Sequence, residues 1–327
     1  MARFILGKVI QMLLALLATS FLVFAALYVI GEPTALFDPL IREDPERLAA
    51  LKAQLGLDQP LYVQYGLFIE RLLHGDLGTS WVYQEPALTL ILARLPATLE
   101  LVFFAILLAV LIGYPAGLMA GLREGKASGL FIERLAILGY SVPTFWIGLV
   151  LIYLFGVWFD LLPTLGRGDT IRLFDAEWSG LTPDGFKHLI LPGVTLALYE
   201  IGLVTRLTVT MTRETLPKPF ILFARAKGLP RTHIIRDHVV RHTATPLVTV
   251  LAVETGALIA GSVVTESVFG WPGVGKLLVE SVAALDRPVI VAFILMTAVL
   301  FLILNFTADI LRSLLDPTQQ RGQVRAI

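Results

Sequence analysis

An acidic side chain inside a long apolar stretch is costly and is therefore a candidate for function. The candidates for a pathway among such side chains are Glu200, Glu254 and Glu266. Glu254 is the deepest, and we expect it to face the interior of a helix bundle or a water-filled cavity. Glu266 lies near the end of the same stretch, where we expect it to be hydrated. Each carboxylate fits either substrate contact or a structural hydrogen bond.

No arrangement typical of an enzyme or a metal centre occurs in the sequence. It has 0 cysteines, which excludes thiolate nucleophiles, disulfides and Cys-based metal sites, and its 5 histidines lie outside the apolar stretches. The segment Gly270–Lys276 fits the G-x4-G-K frame of a phosphate-binding loop, but Leu277 stands where the magnesium-binding Ser or Thr is needed. We therefore predict no catalytic residue, no metal and no ATP site on this chain.

The elements that must position the glutamates are six stretches long enough to cross a bilayer, whose core takes roughly 20 helical residues. They run over 9–30, 99–122, 135–159, 189–211, 246–269 and 288–311. Of the 327 residues, 56% are hydrophobic and 16% charged, a balance that argues against a large soluble protein with buried helices. The first stretch is too long for the 7–15-residue core of a signal peptide, so we interpret it as a retained span. The sequence predicts an all-α integral membrane protein with six transmembrane helices.

The loops between these spans differ in charge, which predicts their orientation. The loops and termini on the N-terminal side of the membrane hold 15 basic and 5 acidic residues, and those on the other side hold 10 basic and 16 acidic. This asymmetry favours both termini in the cytoplasm. Because 26 Lys and Arg balance 26 Asp and Glu over the whole chain, no basic excess points to a nucleic-acid partner.

Two further patterns predict local structure. The loop 32–95 is long enough for a small extracytoplasmic subdomain, with one helix from Asp44 to Gly56 and a second over Leu61–Leu73. Glycines at 113, 117 and 121 repeat every four residues in the second span and allow another helix to approach closely. A similar repeat around Gly256 and Gly261 fits either a pathway or dimer seam, or plain packing within the chain.

The most informative segment is the basic loop 213–245. Pro219 suits the first position of a helix and Gly228 suits a left-handed cap, so the sequence predicts a short helix over Phe220–Lys227. That helix would expose Phe220, Ile221, Leu222 and Phe223, too much apolar surface for a helix that faces only cytosol. Attraction to anionic lipid explains the charges of the loop but not this helix. We therefore expect the helix to dock onto a cytoplasmic protein.

The segment Ala224–Leu229, followed by His238, Arg241 and Pro246, resembles the cytoplasmic coupling loop of binding-protein-dependent ABC importer permeases of the dipeptide/oligopeptide/nickel family. Further stretches share the resemblance, and together they span nearly the whole chain. They are Leu55–Leu61, Gly75–Ser80, Arg94–Glu100, Ser141–Phe145, Thr265–Phe269 and Trp271–Gly275. The sequence departs from the family pattern at Leu222 and Phe223, which replace the usual Glu and Ala, and at His242, which replaces a frequent Asn. The stretch 166–187 shows no familiar pattern.

This resemblance implies a type I, MetI-like permease fold in the bacterial inner membrane. It implies four regions: the N-terminus and first span (1–31), an extracytoplasmic subdomain (32–95), a five-helix core (96–315) and a cytoplasmic tail (316–327). The implied partners are a second homologous permease, two cytoplasmic ATPases that bind ATP and magnesium, an extracytoplasmic substrate-binding protein and membrane lipid. The chain itself would bind no cofactor.

By resemblance, a coupling helix would seat in a groove of one ATPase. Its residues are Phe220, Leu222, Phe223, Ala224, Arg225, Ala226, Lys227, Gly228 and Leu229. The expected function is import of di- or oligopeptides, although nickel, glutathione-like and sugar cargoes occur in the family. The alternative is a self-sufficient secondary transporter or channel in which Glu254 binds an ion or proton.

Overall fold

The computed structural model describes residues 2–29, 46, 49 and 59–315 and is almost entirely helical. Its helices, in chain order, are α1 (Ala2–Val29), α2 (Leu61–Leu73), α3 (Ala87–Leu108), α4 (Tyr114–Leu122), α5 (Ala127–Ser141), α6 (Thr144–Leu151), α7 (Pro183–Thr215), α8 (Pro219–Ala226), α9 (Arg231–His233), α10 (Arg241–Val268), α11 (Val274–Ala283) and α12 (Arg287–Leu315). Short π-helical segments join α3 to α4 over Ala109–Gly113 and α9 to α10 over Ile234–Val240, and a third extends α6 over Ile152–Trp158.

Among the described residues, five helices are long and apolar enough to cross a membrane, and a bent pair supplies a sixth span if it is counted as one. The five run over Ile5–Ala26, Ala87–Leu122, Pro183–Thr215, Arg231–Val268 and Arg287–Ile310. The sixth consists of Ala127–Ser141 and Thr144–Trp158, which meet at 99°. The prediction of a helical membrane protein with six spans is confirmed with this one modification.

The bend shows that the predicted continuous third span over 135–159 is wrong. Val142 is extended at φ −88° and ψ 134°, and Pro143 follows it. The proline ring disfavours a helical conformation in the preceding residue, so α5 ends at Ser141 and α6 begins again at Thr144. Pro246, at the start of the predicted fifth span, lies inside helix α10.

The chain divides into two compact units, and the first comprises Met1–Leu92 with Glu280–Val299. Within it, Val23 packs with Val291 and Leu295 in an apolar cluster. The ring of Phe24 lies 5.8 Å from that of Phe68 on helix α2. The predicted second helix of the loop 32–95 is thus confirmed at Leu61–Leu73, where it packs on α1. Of the predicted helix over 44–56, the structure describes residues 46 and 49, which are both helical, and the rest lies outside the described residues.

The second unit comprises Ala93–Val279 with Leu300–Ile327. Its core holds Leu101, Leu196, Ile259 and Trp271, from helices α3, α7 and α10 and the turn that follows α10. The predicted tail over 316–327 lies outside the described residues, and the four predicted regions remain a prediction.

The repeated glycines of the second span produce a close contact between helices. A Cβ atom on Gly117 would lie 2.5 Å from the carbonyl oxygen of Thr205, and one on Gly121 would lie 2.7 Å from Cβ of Thr212. These distances confirm that the glycine stripe lets helix α7 approach α4 closely. Gly256 likewise packs within the chain, because a Cβ there would lie 2.5 Å from the ring of Phe301, whereas Gly261 faces open space.

The stretch 166–187, which shows no pattern familiar from the family, contains a β-hairpin. The hairpin adds a small sheet to the predicted all-α fold. Strand β1 (Ile171–Leu173) pairs antiparallel with β2 (Ala176–Trp178). The two turn residues, Phe174 and Asp175, have φ values of 51° and 58°. After the hairpin, Thr182 caps helix α7 by accepting a hydrogen bond from the Gly185 amide at 2.9 Å.

Candidate functional site

Helix α8 lies almost where the sequence predicted a docking helix, within one residue at each end. Lys218 is extended before it, and Pro219 occupies the first turn. At the other end Gly228 adopts φ +76°. The Gly228 amide donates to the Arg225 carbonyl at 2.9 Å, and the Leu229 amide donates to the Ala224 carbonyl at 3.2 Å. This is a Schellman cap, which requires the left-handed residue that glycine supplies.

One face of α8 is buried against the chain's own residues. Ile221 is 0% exposed, and Ala224 is also buried. Both pack with Ile234 and Val239, which lie in the π-helical segment between α9 and α10. The expectation that Ile221 is exposed is therefore wrong, because the following segment folds back and covers it. The helix is supported by its own chain rather than isolated.

The opposite face of α8 stays open and apolar, and we call it the coupling surface. It consists of Phe220, Leu222 and Phe223, which are 40%, 52% and 61% exposed. Lys227 is exposed beside it, with Nζ 4.5 Å from the centre of the Phe223 ring. Large exposed apolar groups clustered on a short helix are typical of a surface that a partner covers.

Polar and ionic contacts fix the segments that flank the coupling surface. Before it, Arg213 donates to both carboxylate oxygens of Glu133, at 2.5 and 3.3 Å, and so joins the end of α7 to α5. At the start of α8, Nζ of Lys218 lies 2.7 Å from Nε2 of His242 on α10. The His242 ring lies 5.4 Å from the ring of Phe220. The surface is thus presented from a fixed position.

Glu266 accepts hydrogen bonds from several donors and is 0% exposed. The hydroxyls of Thr98 and Ser262 donate to Oε1 at 2.7 and 2.9 Å, and the Lys276 amide donates to Oε2 at 3.0 Å. The Gly275 amide also donates to the carboxylate. Since these amides belong to the first turn of α11, the carboxylate caps that helix at its positive end. The expectation that Glu266 is hydrated is wrong.

Glu100 was not among the predicted site residues, yet it binds a comparable set of donors. The Arg167 guanidinium donates to Oε2 at 2.8 and 3.3 Å, and the Ser179 hydroxyl donates to the same oxygen at 2.8 Å. The Gly180 amide donates to Oε1 at 2.5 Å. Glu100 and Glu266, with these donors, form what we call the carboxylate network.

The two halves of the carboxylate network meet at Trp271. The Arg167 guanidinium lies over its ring, 5.6 Å from the centre. Its indole N–H donates to the Ala97 carbonyl at 2.9 Å. The signal in the sequence for this network is the stretch Arg94–Glu100, which places the polar side chains of Thr98 and Glu100 at the start of an apolar span.

The remaining candidate glutamates are placed differently. Glu200 is buried on α7, and its Oε2 atom has no hydrogen-bond partner. Glu254 is half-buried on α10, a helix that packs against α7. Glu200 and Glu254 thus lie on two helices in contact, whereas Glu266 is engaged by its own set of donors. In the part of the chain that the structure describes, no group of three or more His, Cys, Asp or Glu side chains could hold a metal ion.

A helical multi-pass fold with a short helix that exposes large apolar side chains is typical of an integral membrane subunit that assembles with other proteins. Two family models match the chain. The model of the binding-protein-dependent transport system inner membrane component covers residues 113–321, and the model of the N-terminal part of such membrane components covers residues 1–102. The chain belongs to this family and is the multi-pass inner-membrane permease subunit of an ABC importer in the peptide/nickel branch.

Named relatives match over nearly the whole length. The dipeptide transport system permease DppB of Escherichia coli K12 is 34% identical over 97% of this chain and 98% of its own length. The di/tripeptide permease DppB of Pseudomonas aeruginosa matches with the same identity and coverage. The glutathione permease GsiC of Salmonella paratyphi A is 33% identical over 97% of this chain and 98% of its own.

A solved structure supports the fold. The methionine ABC transporter MetNI, in an inward-facing crystal form, contains a chain that aligns with 69% of this chain and 96% of its own length. The TM-score is 0.54 at 16% sequence identity. This similarity confirms the predicted MetI-like permease fold.

Proposed function

We propose that this chain forms half of the translocation pathway of an ATP-driven importer of di- or oligopeptides. A second homologous permease forms the other half, two cytoplasmic ATPases bind ATP and magnesium, and an extracytoplasmic binding protein delivers the cargo. The peptide cargo is supported by relatives named for dipeptides and for di- and tripeptides, which align along almost the entire chain. This chain binds no cofactor and does not hydrolyse ATP in this proposal.

The observation that carries the proposal is the coupling surface. The buried side of helix α8 packs on Ile234 and Val239, so the coupling surface on its other side is held in a defined position. In the proposal the segment Phe220–Leu229 seats in a groove of one ATPase, and Phe220, Leu222 and Phe223 fill that groove. Ala224, Ala226 and Gly228 shape the helix and its cap, while Arg225 and Lys227 flank the contact as exposed cations.

This assignment implies an orientation. The coupling surface faces the ATPases, so both termini lie in the cytoplasm, in agreement with the excess of basic residues in the same loops. Binding of ATP would close the ATPase pair, move helix α8 and turn the pathway outward, and hydrolysis would reset it.

The three candidate glutamates then take different roles. Glu254 is half-buried and is the residue that we assign to the pathway. Glu200 is buried on the adjoining helix α7, so in this proposal it does not contact cargo. Glu266 has a structural role, because its carboxylate is occupied by donors from Thr98, Ser262 and the first turn of α11.

The test is uptake by the assembled complex in proteoliposomes. The two permeases, the ATPases and the binding protein are reconstituted, and entry of a labelled dipeptide is measured with ATP on the ATPase side. Mass spectrometry of what the purified binding protein retains identifies the natural cargo class. We expect uptake that requires ATP, both permeases and the binding protein.

The competing function is a secondary transporter or channel that uses Glu254. It predicts flux through this polypeptide alone, driven by an ion gradient. Gradient-driven uptake into vesicles that contain only this chain, lost in Glu254→Gln, would overturn the importer proposal. A receptor that retains a sugar or a metal complex would instead correct the cargo and leave the ATP-driven mechanism intact.

A further inference from the structure

Helix α7 carries a polar stripe on the face that the chain leaves uncovered. Tyr199, Leu203, Arg206 and Thr210 are spaced by three or four residues and therefore share one side of the helix. Tyr199, Arg206 and Thr210 are exposed and Leu203 is half-buried, whereas Thr205, Thr208 and Thr212 on another face are buried. A phenol, a guanidinium and a hydroxyl on one side of a membrane span suit contact with water better than with lipid tails.

Arg206 is held in place by a neighbouring helix. Its Nη1 atom donates to the hydroxyl of Tyr140 on α5 at 3.1 Å, and its guanidinium lies 5.8 Å from the centre of the Tyr140 ring. Gly202 makes this approach possible, because a Cβ there would lie 2.6 Å from the Ala136 carbonyl oxygen and 3.2 Å from the Tyr140 ring. The guanidinium is therefore oriented before any ligand arrives.

Nothing in the described part of the chain neutralises this cation. No carboxylate of the described residues lies within ion-pair distance of Arg206. Two turns further along the same helix, Arg213 pairs with both Glu133 and Glu124. A guanidinium has five donors, and the Tyr140 hydroxyl occupies one, so Arg206 retains the fork that binds an oxyanion.

The backbone beside Arg206 also favours a water-lined position. Tyr140 lies immediately before the break at Val142 and Pro143, where α5 and α6 meet at 99°. Irregular backbone at membrane depth is tolerated where it lines a cavity or is covered by protein, since lipid cannot satisfy its polar groups. The uncompensated cation and the broken helix thus indicate the same kind of environment.

We propose that Arg206, oriented by Tyr140, binds the carboxylate of the peptide as it passes through the membrane. This rests on the proposed function, since it supplies a cargo contact for the same pathway. A phosphate of a lipid headgroup has similar chemistry, and the experiment separates the two sources. Arg206 would thereby favour cargo with a free C-terminus.

The test compares uptake of alanylalanine with uptake of its C-terminal amide by the complete complex in proteoliposomes. The binding protein has its own preference, but the same binding protein serves every permease variant, so its preference cancels when acid-to-amide ratios are compared. We expect Arg206→Gln to lower the ratio about tenfold, as for loss of a hydrogen-bonded charge pair. Arg206→Lys should restore part of it, and Tyr140→Phe should lower it less.

Arg213→Gln is the matched control, because this arginine lies on the same helix but already has carboxylate partners. The acid-to-amide uptake ratio of this variant should equal that of the wild type. If Arg206→Gln lowers uptake of both probes equally, the guanidinium serves a lipid phosphate or the fold, and the proposal is overturned.

A second measurement does not depend on peptide transport. The chain has 0 cysteines, so Leu203→Cys creates a single thiol one turn from Arg206. In the assembled complex an anionic thiosulfonate should modify it faster than a cationic one, and adding Arg206→Gln should remove this preference. If neither reagent reacts, the stripe does not face water and the site is refuted. A wild type that imports neither peptide probe but still shows the labelling preference would contradict the proposed peptide cargo and support the oxyanion site at Arg206.

Discussion

The coupling surface and the carboxylate network belong to the same compact unit of the chain but differ in the side chains that they expose and bury. The coupling surface leaves Phe220, Leu222 and Phe223 exposed on a helix whose other side is buried. The carboxylate network buries Glu100 and Glu266 and surrounds them with donors. The first region leaves apolar side chains uncovered, while the second pairs its buried carboxylates with donors of the same chain. Substitutions should therefore affect assembly in the first region and stability in the second.

The largest expected effect is in the carboxylate network. Glu266→Gln leaves one acceptor oxygen where the carboxylate has two, so in either orientation the side chain cannot accept from both the backbone amides and the hydroxyls that now donate to it. We expect the free energy of unfolding of the complex to fall by about 3 kcal/mol, because buried donors are left unsatisfied. Thermal denaturation of the purified complex measures this change.

Ser262→Ala is the matched control, since it removes one donor and leaves Glu266 with its other partners. It should cost about 1 kcal/mol. A melting temperature of Glu266→Gln equal to that of the wild type would show that the network does not stabilise the turn.

The next effect tests the two faces of helix α8 against each other. Phe223→Ala should weaken binding of the ATPase by about 2 kcal/mol, as for an aromatic side chain central to an interface, and leave the melting temperature of the isolated permease unchanged. Ile221→Ala should do the reverse and destabilise the permease by about 2 kcal/mol, because it opens a cavity. Copurification and titration of the ATPase, beside thermal denaturation, separate these outcomes. Equal effects of both substitutions on both measurements would contradict the division into faces.

A smaller effect is expected at the cap of the same helix. Gly228→Val forces a β-branched residue to φ +76°, at a cost of about 1–2 kcal/mol, and so shifts the end of the helix. We expect the complex to assemble and hydrolyse ATP but to import less cargo for each ATP consumed. Parallel measurements of uptake and phosphate release give this ratio, and unchanged coupling would count against the role of the helix.

The smallest effect concerns the ion pair that precedes the coupling surface. A double-mutant cycle of Arg213→Ala and Glu133→Ala should give a coupling energy of about 1 kcal/mol, since both side chains are half-buried and paired through two hydrogen bonds. Denaturation of the four variants provides the cycle. A coupling energy of zero would mean that other contacts hold the end of α7.

Features set by neighbouring residues could be predicted from the sequence. Proline and glycine fix the ends of helix α8, and the glycine stripe predicts the close contact between α4 and α7. Pro143 is a local signal for the break in the third span, but the long apolar stretch around it favoured a continuous helix. The β-hairpin has no typical turn sequence, because Phe174 and Asp175 take positive φ values that usually belong to Asn or Gly.

Features that depend on distant residues could not be predicted. Ile221 is buried only because the segment around Val239 folds back over it. Glu266 is buried because Thr98, 168 positions earlier in the chain, donates to it. Neither spacing nor composition contains such information in a single sequence.

The continuity of the helical run from Arg231 to Val268 has a mechanical consequence. Its first part supports the buried side of α8, and its last turns contain Glu266. Most of its 38 residues are α-helical, at about 1.5 Å per residue, so the run extends on the order of 50 Å without an intervening loop. We therefore expect a displacement of α8 to reach the turn at Trp271 through this helix, and the hydrogen bonds of Glu266 to link the first turn of α11 to that displacement.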